Sequence, residues 1–486
     1  MPVRQSPRGP PLPSCSRTAE VHLDVAGFTN GSRNRHRCEV IARVCLFNST
    51  LHPVGPRSPK EARQLLRLRR WRVRSPTFSL QVRPLHELHP LSVPTDSAAA
   101  LIETELRARG FAACVPLVFM PVWFKNFGEL YFSSFAPLYE LLTHELISRG
   151  VELRPDLSYF PWWKRPRYLD ELLQPLSDEP LRVLREVAPK CSVQQALQVI
   201  TLGETNRTRR CATRCYRRAV FCDFKTIYDV ATRYDAPFAP FRAGQWLVKR
   251  TATPTAAARV VSAESQLLWS EAGSGDTYPV RAARPLRVLL IKRTPLSEAS
   301  SYSTRNRKGK HSLLTETIEN VDELLQRCAA APLLDCKAYD FGRRGLVEDM
   351  RHARQADVLV GTHGSGLNQA FFLRRGSALV EVRPYGFEGS WPDQYFKAML
   401  QVEAHPVHYY QISTGTPLLM NPPPSDPDVR GWDARNGRNV VLPWHTLREV
   451  LRGIIAVNGS ARRYNRLPSK ISLSWPDVDT LDDSVF

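Results

Sequence analysis

The chain has 486 residues, 43% of them apolar, and a formal net charge of +20. That length holds two or three domains with their own cores, and that apolar share excludes a chain disordered throughout. The charge favours polyanionic or phosphate-bearing partners, whether nucleic acid, acidic membrane, sulfated glycans or phosphorylated substrates, and does not choose between them.

Residues 1–36 are rich in Pro, Arg and Ser and are expected to be disordered. No apolar core of a signal peptide follows the first methionine. The segment Arg63 to Arg74 carries six arginines among Leu and Trp, which suits either a nuclear or RNA-binding arm or a basic amphipathic face. Residues 98–110 have helical spacing and a glycine stop, Cys114 to Met120 reads as a strand, and residues 136–150 as a helix ending in glycine. The longest apolar run, Phe111 to Phe124, is shorter than the roughly 20 residues of a membrane-spanning helix and holds two prolines. A second arginine-rich stretch, Arg207 to Arg218, is expected to be an ordered, solvated loop tied by cysteines. Residues 251–285 are small, polar and weakly patterned, as an interdomain linker is.

From residue 286 strand and helix alternate with short links. Strand patterns cover Arg287 to Arg293, Leu333 to Phe341, Asp357 to Gly361, Ser377 to Val382 and Val407 to Ile412. Helical spacing joins Ile318, Val321, Leu324, Leu325 and Cys328, and recurs over Leu346 to Ala356, Leu367 to Leu373, Asp393 to Val402 and Trp444 to Val457. Such alternation implies parallel βαβ units, a sheet covered on both faces by helices. Residues 421–428 form a proline-rich loop, and residues 458–486 a polar tail.

Of the ten cysteines, seven lie close to one another in sequence: Cys38 and Cys45, then Cys211, Cys215 and Cys222, then Cys328 and Cys336. Close pairs suit disulfides, whereas the spacing of the middle group lacks the paired CxxC or HxxxH of a zinc site. Sequons at Asn30, Asn48, Asn206 and Asn458 agree with a lumenal protein whose membrane anchor is absent from this chain.

One turn concentrates the polar chemistry. His363-Gly364-Ser365-Gly366-Leu367 stands between the apolar strand 357–361 and a helix, at the carboxyl end of a strand, where open α/β sheets bind ligands. Glycines there let backbone N–H groups approach an anion, and the helix N-terminus adds positive potential. Gly361 and Gly366 have Walker A spacing, but Leu367 stands where the lysine is needed. Gln369 replaces the third glycine of a dinucleotide fingerprint. His363 and Leu367 occupy the flanking glycine positions of a nucleophile elbow around Ser365. Asp426/Asp428 and Asp477/Asp479 match a bare D-x-D but lie in polar loops or the tail, and His405/His408 reads as a strand edge rather than a ligand pair.

The strand ending in Arg293, the helix opening at Asn320, and His363, Gly364, Gly366, Leu367, Phe372, Gly376, Ser377, Val380 and Glu381 together resemble the C-terminal half of glycosyltransferase family 61, over roughly residues 286–412. Upstream, Trp123 to Leu142 is similar to the family's "NFGHFLFDxLxPLY" segment. The resemblance implies an α/β protein of GT-B type, two Rossmann-like domains facing a cleft. Residues 37–250 would be the acceptor-side domain and residues 286–457 the nucleotide-sugar domain. It implies inverting transfer of a sugar of the xylose, GlcNAc or arabinose class from a UDP-sugar to a hydroxyl of a glycan or glycoprotein acceptor. The donor would be a co-substrate and no cofactor or metal would be required. Golgi or ER lumen would be the location, and no nucleic acid would be bound. Arg293, Asn320, His363, Gly364, Ser365, Gly366 and Glu381 become donor-site candidates by carry-over. Displacement at the sugar carbon needs a base for the acceptor hydroxyl; Glu129 stands where the family has histidine, and Ser133 where it has aspartate. Glu316 and Thr317 depart from the family's "RRI-N", with Arg305 or Arg307 as substitutes for the missing arginine. Two other readings compete: a non-catalytic relative that binds glycan or nucleotide, and a basic nucleic-acid-binding protein.

Overall fold

The computed structural model describes residues 37–47, 50–53, 81–82, 115–119, 126–143, 151–155, 167–177, 181, 214–223, 240–252, 284–293, 316–388, 395–400, 407–426, 428, 438–466 and 472–474. Two compact units emerge. The first comprises Met1–Pro121, Leu138–Lys164 and Leu176–Phe224, the second Val122–Pro137, Arg165–Pro175 and Lys225–Phe486. The expected helix at 98–110, the arginine-rich segment at 63–74 and most of the linker lie outside the described residues.

In the first unit, β1 (Arg37–Phe47), β2 (Thr50–Pro53), β3 (Gln81–Val82), β4 (Val115–Phe119), β5 (Val151–Pro155) and β6 (Arg214–Asp223) form one mixed sheet in the order β3-β2-β1-β6-β4-β5. β1 runs antiparallel to β2 and β6, and β4 runs parallel to β5 and β6. The expected loop at 207–218 therefore ends differently: from Arg214 it is strand. Pairing with β1 sets Cys215 directly opposite Cys45, and the two form a disulfide with Cα atoms 4.0 Å apart. Arg217 and Arg218 are exposed on that strand, so these two arginines are solvated as expected.

The second unit carries β7 (Leu286–Ile291), β8 (Leu334–Tyr339), β9 (Val358–Thr362), β10 (Ala378–Arg383), β11 (His408–Ser413) and, after the two-stranded ribbon β12 (Met420–Asn421) with β13 (Asn439–Val440), β14 (Ser472–Ser474). Its main sheet has the order β14-β11-β10-β9-β7-β8 and is parallel throughout. β14 is a three-residue edge strand inside what reads as a polar tail.

The period of two divides this sheet's faces. Val288, Leu290, Val358, Val360, Val380, Val382, Tyr410 and Ile412 point one way, into a core with Val321, Leu324 and Cys328 of the helix Val321–Ala329 and Leu447, Val450, Leu451 and Ile454 of the helix Trp444–Val457. Ile318, expected inside the first of these helices, instead bridges to Val440 just before it. A further disulfide, Cys328–Cys336, ties that helix to β8.

The other face carries Ile291, Gly361, Glu381, Arg383 and Tyr409. Over it runs the 3-10 segment Ser365–Phe372, packed on β9 and β10. An aromatic layer closes on that segment. Tyr131 stacks on Phe371 (5.3 Å between centroids), Phe127 meets Phe372 and Phe132 meets Tyr395. The helix Pro240–Ala252 comes so near that a Cβ on Gly244 would lie 2.4 Å from the Phe371 carbonyl oxygen. Gln245 donates to the carbonyls of Phe371 and Leu373 at 3.0 and 2.9 Å. This packing explains why Val122–Pro137 and Lys225–Ala252 group with the second unit, a division different from the expected boundary at residue 250.

Candidate functional site

The chain enters the parallel sheet at β7, places β8 on one side of it, and then crosses to the other side for β9, β10 and β11. The strand order therefore reverses between β7 and β9. Loops leaving adjacent strands diverge at such a point and open a crevice beyond their carboxyl ends, the usual ligand position in a doubly wound sheet. Arg293 follows β7 and His363 follows β9, so two of the expected residues flank this point.

The glycines let the two loops meet. Gly364 has φ +152°, and a Cβ there would stand 2.4 Å from Nη2 of Arg293 and 3.1 Å from Oε2 of Glu316. Arg293 and Glu316 form an ion pair at 3.4 Å, each about a quarter exposed. Thr362 donates its hydroxyl to the Glu316 carbonyl, which ties this loop to the end of β9. A Cβ at Gly361 would crowd Ile291 and Leu367 at 2.9 and 3.1 Å, whereas Gly366 has its nearest neighbour, Ile291, at 3.4 Å. Ser365 opens the 3-10 segment that takes the place of the helix expected over residues 367–373, and its carbonyl accepts from Asn368 Nδ2 at 2.8 Å.

His363 is fixed from behind. Its Nδ1 lies 2.5 Å from Oε1 of Glu381, and its backbone N–H donates to Val382 O at 3.1 Å. Phe387, Tyr395 and Phe396 surround the ring, with centroids 4.7, 6.1 and 5.6 Å away. Glu381 is fully buried, and its Oε2 accepts from the Tyr409 hydroxyl and from Arg383 Nε, the latter at 3.1 Å. Arg383, equally buried, also donates to the Tyr409 oxygen at 2.8 Å and lies over the Phe387 ring. Burial pushes the Glu381 carboxyl up, but the His363 hydrogen bond, the charges of His363 and Arg383, and the Tyr409 hydroxyl outweigh it, so the group is held below its ordinary range. Burial, then the Glu381 charge, pushes the Tyr409 phenol well above its ordinary value.

Asn320 precedes the helix Val321–Ala329, where its side-chain amide donates to Leu442 O and accepts from Leu442 N, both at 2.9 Å. That amide fastens the helix start to the strand-end loop beyond β13. Glu129 lies in the short helix Phe127–Leu130, which packs against the 3-10 segment; a Cβ on its neighbour Gly128 would stand 2.3 Å from Asn368 Nδ2. The structure thus brings Arg293, His363, Gly364, Ser365 and Gly366 to one corner, sets Glu381 behind His363 and sets the Glu129 helix beside the segment that follows. Of the D-x-D pairs, Asp426 accepts from the backbone of Asp428 at 2.9 Å in an exposed turn.

Arg383 and Tyr409 escape a reading of the sequence. Arginine is seldom fully buried unless paired. Its partner here sits two residues back on the same face, a spacing that is visible in the letters, whereas Tyr409 is brought in only by the β10–β11 register. A guanidinium and an imidazole over a glycine turn suit an anion, and the buried carboxylate behind the imidazole orients it. No curated protein matches the chain. The family model described as Glycosyltransferase 61 matches residues 115–380, from β4 through the glycine turn into β10. The chain that carries this corner therefore belongs to glycosyltransferase family 61.

Proposed function

We propose that the protein is an inverting glycosyltransferase that uses a UDP-sugar, and that the donor diphosphate sits beyond the carboxyl ends of β7 and β9. The observation that carries this reading is the strand-order reversal between these strands, with Arg293 and His363 on its two sides. Arg293 and the amides of Gly364, Ser365 and Gly366 neutralise the diphosphate as it leaves, so the developing charge is met by fixed donors rather than by water. His363 gives Nδ1–H to Glu381 and directs its other nitrogen to a phosphate oxygen. Glu381 acts through that imidazole, and Asn320 acts by fixing the helix start.

Glu129 takes the proton of the acceptor hydroxyl as that oxygen attacks the anomeric carbon, and the bond to the diphosphate breaks on the opposite side, inverting the configuration. The two units take the roles of a GT-B enzyme, with the donor on the second and a glycan or glycoprotein acceptor on the first. The disulfides favour an oxidising compartment such as the ER or Golgi lumen. Among the described residues no helix is long and apolar enough to cross a membrane. The sugar is of the xylose, GlcNAc or arabinose class.

A thermal-shift screen over UDP-sugars, followed by an assay of UDP release with acceptor glycans, tests the reading. The expected result is stabilisation by UDP and one UDP-sugar, with turnover on one acceptor class. Binding without turnover on any acceptor would favour the non-catalytic relative, and salt-sensitive RNA binding without UDP binding would favour the nucleic-acid protein.

A further inference from the structure

We propose that Arg383 and Tyr409 are positioning residues that hold the Glu381 carboxylate and thereby set the charge that His363 carries. The inference concerns the free protein and rests on the reading above only for its consequence, that His363 meets the donor.

The arrangement is asymmetric. Oε1 of Glu381 faces His363 alone among the bonds described, while Oε2 takes both the Tyr409 hydroxyl and Arg383 Nε. Arg383 and Tyr409 are themselves joined at 2.8 Å, so the three side chains form a closed triangle. The parallel register builds it: Glu381 and Arg383 are two residues apart on one face of β10, and Tyr409 lies opposite Leu379 on the same face of β11. Tyr409 is anchored in turn, because the Tyr464 hydroxyl donates to its carbonyl at 2.7 Å and accepts from its N–H at 3.2 Å, beyond the short reach of β14.

A rigid carboxylate of fixed charge density makes the imidazole's protonation predictable. The negative charge of Glu381 favours imidazolium, and the positive charge of Arg383, less than one side chain behind, opposes it. The Tyr409 hydrogen bond draws charge to Oε2 and weakens Oε1 as an acceptor. Among the described residues, Phe387, Tyr395 and Phe396 also line the ring, and the Arg293–Glu316 ion pair lies beside the next residue, Gly364. Among the described contacts of the ring, Glu381 is the charged group that hydrogen-bonds it. Loss of Arg383 or of the Tyr409 hydroxyl leaves the carboxylate more fully to His363, and the imidazole then keeps its proton to higher pH.

The test is an NMR titration of histidine-labelled full-length protein without ligand, with the His363 signals assigned from His363→Gln. Tyr409→Phe is expected to raise the His363 midpoint, and Arg383→Met, which removes a positive charge, to raise it further. Arg383→Lys is expected to bring it back towards wild type. Should Arg383→Met not fold, Tyr409→Phe, which removes one oxygen atom, decides alone. His363 signals that behave identically over the pH range in wild type and in the folded variants overturn the proposal. UDP binding measured on the same samples separates the two readings: a shifted midpoint with no UDP binding refutes the donor site and keeps the positioning roles.

Discussion

Arg293 and Gly364 meet so closely that no side chain fits between them: a Cβ on Gly364 would stand 2.4 Å from the Arg293 guanidinium. The glycine also holds φ +152°, which L residues rarely adopt. Gly364→Ala is therefore expected to displace Arg293 and to weaken UDP binding at least ~10-fold, one charge-assisted contact being lost. Gly366→Ala, with its nearest neighbour at 3.4 Å, is expected to change the affinity far less. Calorimetry on the two variants measures the difference.

Glu129→Gln keeps the size of the side chain and removes its basicity. If Glu129 deprotonates the acceptor, kcat falls on the order of 100-fold or more while UDP affinity stays at the wild-type value. An unchanged kcat would remove Glu129 from the chemistry and return attention to the other residues of its helix.

The Glu381 carboxyl is held below its ordinary value by His363, Arg383 and Tyr409 against the opposing effect of burial. The sign follows from linkage: the folded state binds this proton less readily than the unfolded state. Its contribution is thus complete above the ordinary carboxylate value of about 4.3 and is lost as pH falls through the lower folded value. Glu381→Gln is expected to lower stability at neutral pH by roughly 3 kcal/mol, since it breaks the buried Glu381–Arg383 ion pair, and to flatten the acid limb of stability. Denaturant titrations at a series of pH values check both effects.

The Cys45–Cys215 bond spans 170 residues and the Cys328–Cys336 bond 8. In the chain-entropy model such loops restrict the unfolded state by about 5 and about 2.5 kcal/mol. Replacing the first pair with serine is expected to destabilise the protein more than replacing the second, as read from denaturation midpoints of the two double variants.

The parallel sheet from β7 to β11 was legible because β7, β9 and β10 are buried, mostly apolar runs and strand and helix patterns alternate, so each change of period marks an element. The helix Trp444–Val457 was legible to the residue, opened after a proline and closed by left-handed Asn458. β6 was hidden: Arg217 and Arg218 on it are exposed, and what makes it a strand is pairing with β1, whose Cys45 lies far away in sequence. β14 was hidden for a different reason, since three residues at a sheet edge carry too short a pattern to see. At the site, His363 and its glycines announced themselves by composition. Glu381 came from the family resemblance, but the roles of Arg383 and Tyr409 did not show, because Tyr409 joins them only through the β10–β11 register.

Donor binding at the β7–β9 corner is measured most directly by titrating UDP into wild type, Arg293→Ala and His363→Ala in a calorimeter. The expected result is saturable binding to wild type with affinity at least ~10-fold weaker in each variant, as loss of a charge-assisted hydrogen bond entails. Equal UDP affinity in all three folded proteins, or no binding to wild type, would contradict the account.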